Sequence, residues 1–211
     1  MREYEKNPSL TYEDSIVSKF SEKYKPNNLQ EALYGETFDR DCRTAQISFT
    51  HGFSVFRVPI VPMPWSSDSN IDFYYSGKWA KTDSGRTHFR RTIETYESIK
   101  NHGFNPDEYS DGSLQHGYIR IVILKSGNDC RFVITGGQHR VAALATLGWE
   151  EIPVIFEHHF LASPPVVDIK NLDHWPVVRR GIYDKKAAYR VFEAFFTDQS
   201  RLKLEKLGLI Y

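Results

Sequence analysis

Cysteine is almost missing from the chain. There are two in 211 residues, and Cys42 and Cys130 form neither a zinc-type pair nor a Cys-x-x-Cys motif. That usage excludes a disulfide scaffold and suits a reducing compartment, so a cytoplasmic protein is expected. Net charge is lacking as well, since 27 basic residues are matched by 27 acidic ones. A broad DNA-binding face needs clustered excess Lys and Arg, so the balance argues against DNA as a partner and leaves room only for a local basic patch. No apolar run approaches the roughly 20 residues of a membrane-spanning helix. The opening MREYEKNPSL also lacks the apolar core of a signal peptide. Aromatic side chains are what the chain has in plenty, 14% of it. That share suits either a well-packed core or a site that stacks flat groups.

The rest is organised around residues 131–156, RFVITGGQHRVAALATLGWEEIPVIF. Phe132, Val133 and Ile134 make an apolar run short enough for a buried strand. Gly136-Gly137 breaks it, and Gln138-His139-Arg140 leads into a run of helix formers from Val141 to Leu147. Gly148 stands where a helix takes its C′ glycine. Residues 152–156 read as the next strand, with Pro153 near its start, where a missing N–H does least harm. His139 and Arg140 thus fall in a helix's first turn, where N–H groups lack intrahelical partners and the macrodipole is positive. Glycines let the backbone approach a bound group closely, and Arg adds a planar bidentate donor. Together they make an anion site, most naturally for phosphate. The plainer alternative is a βαβ corner whose glycines serve only the turn, with His139 and Arg140 solvated.

The length suits one domain with additions: a helical N-terminal extension (1–50), a core (51–160) and a helical C-terminal extension (161–211) packed on it. Asp14 or Ser15 can cap a short helix with Ile16, Phe20 and Tyr24 on one face. Residues 55–61 should be a strand, ended by Pro62 and Pro64. The loop 65–84 follows, carrying Asp68, Asp72, Lys78, Lys81 and Asp83. It reads either as a substrate-facing loop or as a solvated insertion. Residues 87–102 form a helix with Phe89, Ile93, Tyr96 and Ile99 on one stripe and Gly103 closing it. Arg91, Glu94 and Ser98 share its other side. Residues 119–124 form a strand. His158 and His159, adjacent on a strand, would point to opposite faces and make a poor metal pair. Asp184 caps a helix whose apolar face is Ala187, Ala188, Val191, Phe192, Phe195 and Phe196, and a last helix spans 199–207. These helices cover the sheet or form a homodimer interface. Arg179 and Arg180 stand just ahead of the capped helix, within reach of an acidic group or simply solvated.

GGQHRVAALATLGWEEIPVIF resembles the nucleotide-binding segment of the ParB/sulfiredoxin superfamily, in which a G-x-x-R or G-x-H-R turn precedes an Ala-rich helix, then L-G and I-P-V. Upstream, YESIKNHGFNP (96–106) is similar to the family's S-I-x-x-x-G-x-x-x-P helix and turn. VFRVPI (55–60) resembles its opening strand more weakly. The resemblance covers about half the chain, 55–156. It implies an α/β (α+β) fold, a ParB/sulfiredoxin-like mixed sheet with flanking helices.

The resemblance also implies chemistry. Gly136, Gly137, Gln138, His139 and Arg140 would cradle nucleotide phosphates, with Arg91 and Ser98 adding contacts from the preceding helix. Glu94 stands where sulfiredoxins have a phosphate-binding hydroxyl, and a carboxylate there fits only as a Mg²⁺ ligand. Sulfiredoxin activity needs a Cys where this chain has Gln138. ParB proper carries a helix-turn-helix after its nucleotide domain, and the last 55 or so residues here hold no basic recognition helix. That leaves the serine kinases of this fold, in which a carboxylate after the first strand positions the acceptor hydroxyl. Asp68 or Asp72 would serve that role here, with His139 donating to a phosphate oxygen. The expectation is an ATP- or ADP-dependent kinase with Mg²⁺ (CTP being the other candidate nucleotide), acting on a hydroxyl of a small molecule or glycan. The alternative is a non-catalytic nucleotide-dependent switch that binds DNA or a protein.

Overall fold

Residues 119–126, IRIVILKS, alternate and cluster β-branched side chains in the way that favours a strand with two covered faces. In the computed structural model, which describes residues 1–24, 63–66, 85–109, 117–156, 164–197 and 199–210, this run is the strand on which everything else is laid. The described helices are α1 (Arg2–Lys6), α2 (Ile16–Lys23), α3 (Gly85–His102), α4 (Gln138–Thr146), α5 (Pro176–Arg179), α6 (Lys185–Glu193) and α7 (Gln199–Lys206). The strands are β1 (Ile119–Ser126), β2 (Asp129–Gly136), β3 (Val154–Phe156) and β4 (Val166–Asp168). β2 returns antiparallel to β1 through a two-residue turn in which Gly127 takes positive φ. On its other side β1 pairs in parallel with β3 along its first half and with β4 along its second. The sheet is therefore mixed and four-stranded, as the α/β expectation requires.

Strand alternation divides the core. Ile119 and Ile121 face one way and are buried with Tyr96 and Ile99 of α3 and Ala143 and Leu144 of α4. Val122 and Leu124 face the other way and join Val167, Trp175, Val177, Tyr183 and the buried face of α6, Ala187, Ala188, Val191 and Phe192. The apolar face expected for the capped helix is thus the cover of this second side. Much of the aromatic content is core: Trp65 is 3% exposed and meets Trp175 and Phe192 edge-on, with ring centroids 5.6 and 5.9 Å away. It packs the interior, whereas the sequence placed it at the start of a loop read as either substrate-facing or a solvated insertion.

Helix ends follow the expected signals. Ser15 caps α2, its Oγ accepting from the Ser18 N–H. Gly103 at φ 81° closes α3 and Gly148 at φ 81° closes α4. Beyond α4 the Trp149 N–H reaches back to the Leu144 carbonyl at 3.0 Å. Asp184 caps α6, its carboxylate accepting from the Ala187 N–H at 2.6 Å. Asp184→Ala should cost about 1 kcal/mol and lower Tm by roughly 2–4 °C, which thermal denaturation followed by circular dichroism will read.

Three local features differ from expectation. The run Phe132-Val133-Ile134 is not a buried strand, because Phe132 is 69% exposed and only Val133 turns into the core. Among the described residues β2 is an edge strand that pairs with β1 alone, so its outer face lies beyond the helical cover. The strand–helix–strand unit is also not a parallel βαβ corner. β3 is parallel to β1, not to β2, because the chain has already reversed in the β1–β2 hairpin. Finally, α1 was not foreseen. Its short length gives a weak periodic signal, and its anchor is tertiary, Tyr4 meeting Tyr96 edge-on at 6.0 Å. The expected strand 55–61, Asp68, Asp72, Lys78, Lys81, Asp83, Cys42, His158 and His159 lie outside the described residues.

Candidate phosphate site

Gly137 is the hinge of the site. It takes φ 85°, a left-handed conformation open to glycine at little cost, and serves as N-cap of α4 without any side-chain cap. A Cβ on it would stand 3.1 Å from Ile119 Cγ1 and 3.2 Å from Ile119 Cα, so the turn lies directly against β1. The first helical bond of α4 runs from the Val141 N–H to the Gly137 carbonyl at 3.0 Å. Gln138, His139 and Arg140 therefore form the first turn, as the sequence indicated, with Gln138 exposed and the other two half-buried.

Gly136 has a separate role. A Cβ there would fall 2.5 Å from Nε and Nη2 of Arg120. The guanidinium of this β1 residue thus lies across the glycine, its register partner on β2. Arg120 was missed in the sequence. Its one signal was a charged residue inside an otherwise apolar strand, Ile119-Arg120-Ile121-Val122. Arg140 is fixed from the other side: its Nη1 donates to the Tyr118 carbonyl at 3.1 Å. Tyr118 is itself held, its hydroxyl donating to Asp107. That hydrogen bond, followed by burial and the nearby carboxylate charge, raises the Tyr118 phenol above its ordinary range.

The third component comes from α3. His88, in that helix's first turn, places Nδ1 3.2 Å from Nε2 of His139, with ring centroids 5.4 Å apart. The contact brings the first turns of α3 and α4 together, while Tyr96, Ile99, Ala143 and Leu144 pack the two helices further along. Neither helix carries an acidic residue in its first turn. Arg120 thus lies across Gly136, Arg140 lies beside Gly137, and the two imidazoles meet at the first turns of α3 and α4. Cationic side chains at a glycine-hinged helix start favour an anion.

The remaining candidates lie along α3. Arg91 is exposed one turn beyond His88, and Ser98 is half-buried two turns further. Glu94 is exposed and pairs with Arg90 on its own helix at 3.6 Å. Among the described residues no group of three or more His, Cys, Asp or Glu could hold a metal. Arg179 and Arg180 are exposed at the end of α5, and Arg179 donates its backbone N–H to the Trp175 carbonyl. Among the described residues no helix is long and apolar enough to cross a membrane.

The family model of the ParB N-terminal domain matches residues 88–161. The match begins at His88 and runs through the β1–β2 hairpin and the glycine turn to beyond β3. This part of the chain is similar to the ParB N-terminal domain, a likeness consistent with the ParB/sulfiredoxin superfamily. No curated protein and no solved structure matches the chain.

Proposed function

We propose that this ParB-like domain binds the phosphates of a nucleotide at the turn from Gly136 to Arg140. The observation that carries the reading is the arrangement just described: an uncapped, glycine-hinged helix start with Arg120, Arg140 and the His88–His139 pair around it. Backbone N–H groups and dipole ends would hold the phosphate oxygens, and Arg140 would supply a charge-assisted contact. Arg91 and Ser98 would extend the cradle along α3, and Gln138 would offer an amide at its rim.

The finer proposal is a cytoplasmic phosphotransferase that uses ATP or ADP with Mg²⁺ and phosphorylates a hydroxyl of a small molecule or glycan. Such transfer needs neutralisation of developing charge and a carboxylate to position the attacking hydroxyl. The cationic side chains and His139 supply the first. Asp68 or Asp72 is proposed for the second, and Glu94 as a metal ligand that would have to leave Arg90. A second reading is a nucleotide-dependent switch without transfer, acting on DNA or a protein. The pairing of Glu94 with Arg90 favours it, since α3 then offers no unengaged carboxylate at that position.

A nucleotide panel tests the reading. ATP, ADP, CTP and GTP, with and without Mg²⁺, are titrated calorimetrically into the wild type and Arg140→Ala. Losing one charge-assisted phosphate contact should cost about 1.5–3 kcal/mol, roughly tenfold or more in affinity. Binding of ATP or ADP that Arg140→Ala weakens by that factor supports the phosphate site, and transfer to an acceptor would then remove the switch. Preference for CTP with slow, acceptor-independent hydrolysis would favour the switch. A folded protein that binds none of the four would leave the glycine turn purely structural.

A further inference from the structure

Lys203, on α7, is half-buried against the end of α2. Its Nζ donates to the Tyr24 hydroxyl at 3.0 Å and lies 4.4 Å from the centroid of the same ring. Tyr24 stacks on Phe20 with centroids 5.1 Å apart, so the amine rests on a platform of two rings. Elsewhere lysines meet carboxylates: Lys185 bonds Asp173 at 2.8 Å, and Lys125 faces Asp168 at 3.9 Å. Among the described residues no carboxylate bonds or pairs with Lys203. The other charged groups at this junction are Glu22 and Lys23 in the last turn of α2 and Arg201, Glu205 and Lys206 on α7 itself. Lys23 donates to the Leu207 carbonyl at 2.6 Å, and Arg201 pairs with Glu205 at 2.8 Å. A ring face and a hydroxyl attract the ammonium, whereas burial disfavours it. Burial prevails, and it pushes the Lys203 amine below the ordinary lysine range.

We propose that Lys203 is an acylation site: its Nζ, held on Tyr24, takes the acyl group of an activated carboxyl donor such as a thioester or an acyl phosphate. The free amine attacks the acyl carbonyl and the N–C bond forms. The C–S or C–O bond to the donor breaks, and its electron pair leaves on the thiolate or phosphate. The proton lost from Nζ passes to that leaving group or to water. A lysine paired with a carboxylate is held as the ammonium, which has no electron pair to give, and a fully solvated one is charged at neutral pH. Lys203 escapes both conditions, while its partial exposure leaves Nζ within reach of a donor. The product amide carries no charge, so acylation also ends the ammonium's hold on the Tyr24 ring and weakens the tie between α2 and α7. None of this depends on the phosphate turn.

The experiment is competitive labelling of the full chain. Limiting acetyl phosphate and, separately, acetyl coenzyme A are added at several points between about pH 7 and 9, below the ordinary lysine pKa. Acetylated lysines are then quantified by peptide mass mapping. Lys203 should be labelled several-fold faster than the exposed Lys170 and Lys206. Its rate should also flatten at lower pH than theirs, because a depressed amine reaches its free form sooner. Tyr24→Ala should bring Lys203 down to the rate of those two with circular dichroism unchanged, and so should unfolding of the wild type in urea. A Lys203 rate in the folded wild type no higher than that of Lys170 and Lys206 overturns the proposal, as does an advantage that survives in Tyr24→Ala. An advantage seen with one donor alone supports it and identifies the donor class.

Discussion

Phe192→Ala should cost about 3–5 kcal/mol of folding stability, the usual range for deleting a buried aromatic ring. Phe192 is 1% exposed. Its ring centroid stands 5.9 Å from Trp65, 5.7 Å from Trp175 and 5.1 Å from Phe196. Trp65 lies more than a hundred residues earlier in the chain, and Trp175 follows the short strand β4. One ring therefore ties three separate stretches to the face of β1 that carries Val122 and Leu124. Against a total stability of about 5–15 kcal/mol, the loss leaves the variant marginal. Denaturant unfolding followed by fluorescence should show a large fall in midpoint with little change in slope. The phosphate turn lies against Ile119, a residue of the other core, so a variant that folds at low temperature should still bind nucleotide. A loss below about 1 kcal/mol would mean that the cavity collapses and the ring is not a keystone.

The sequence foretold those parts of the fold whose causes are local. Glycines at positive φ, an Asp or Ser one residue ahead of an amphipathic run, and Ile-Val alternation are short-range causes, and Gly103, Gly148, Ser15, Asp184 and β1 all appeared where such causes put them. The glycine turn was legible for the same reason. The site around it was not. His88 and His139 are 51 residues apart, and no periodicity on either helix points at the other. Only the packing of Tyr96 and Ile99 against Ala143 and Leu144 brings their first turns together. Arg120 was hidden in the same way, because its place over Gly136 depends on the register of a hairpin that the strand pattern leaves unspecified. The exposure of Phe132 follows from that hairpin too, since an apolar run looks alike at the centre and at the edge of a sheet.

The two adjacent glycines should respond differently to the same methyl group. Gly137→Ala must hold an alanine at φ 85° with its Cβ 3.2 Å from the Cα of Ile119, a backbone atom that β1 fixes in the core. The left-handed conformation alone costs about 1–2 kcal/mol, and relief of the contact would rotate the start of α4 and with it His139 and Arg140. A drop in stability of that size is expected together with a loss of nucleotide affinity beyond the roughly tenfold effect of removing one phosphate contact. Gly136→Ala meets instead the end of a flexible side chain, the Arg120 guanidinium at 2.5 Å. Arg120 can swing away, so stability should change little while affinity falls, and Arg120→Ala should reproduce the loss without adding to it in the double variant. Equal effects of Gly136→Ala on stability and affinity, or additive losses with Arg120→Ala, would show that Gly136 only shapes the turn and that Arg120 has no part in holding phosphate. The double-variant comparison is decisive because it separates a glycine kept for the bend of the chain from one kept to admit a cation.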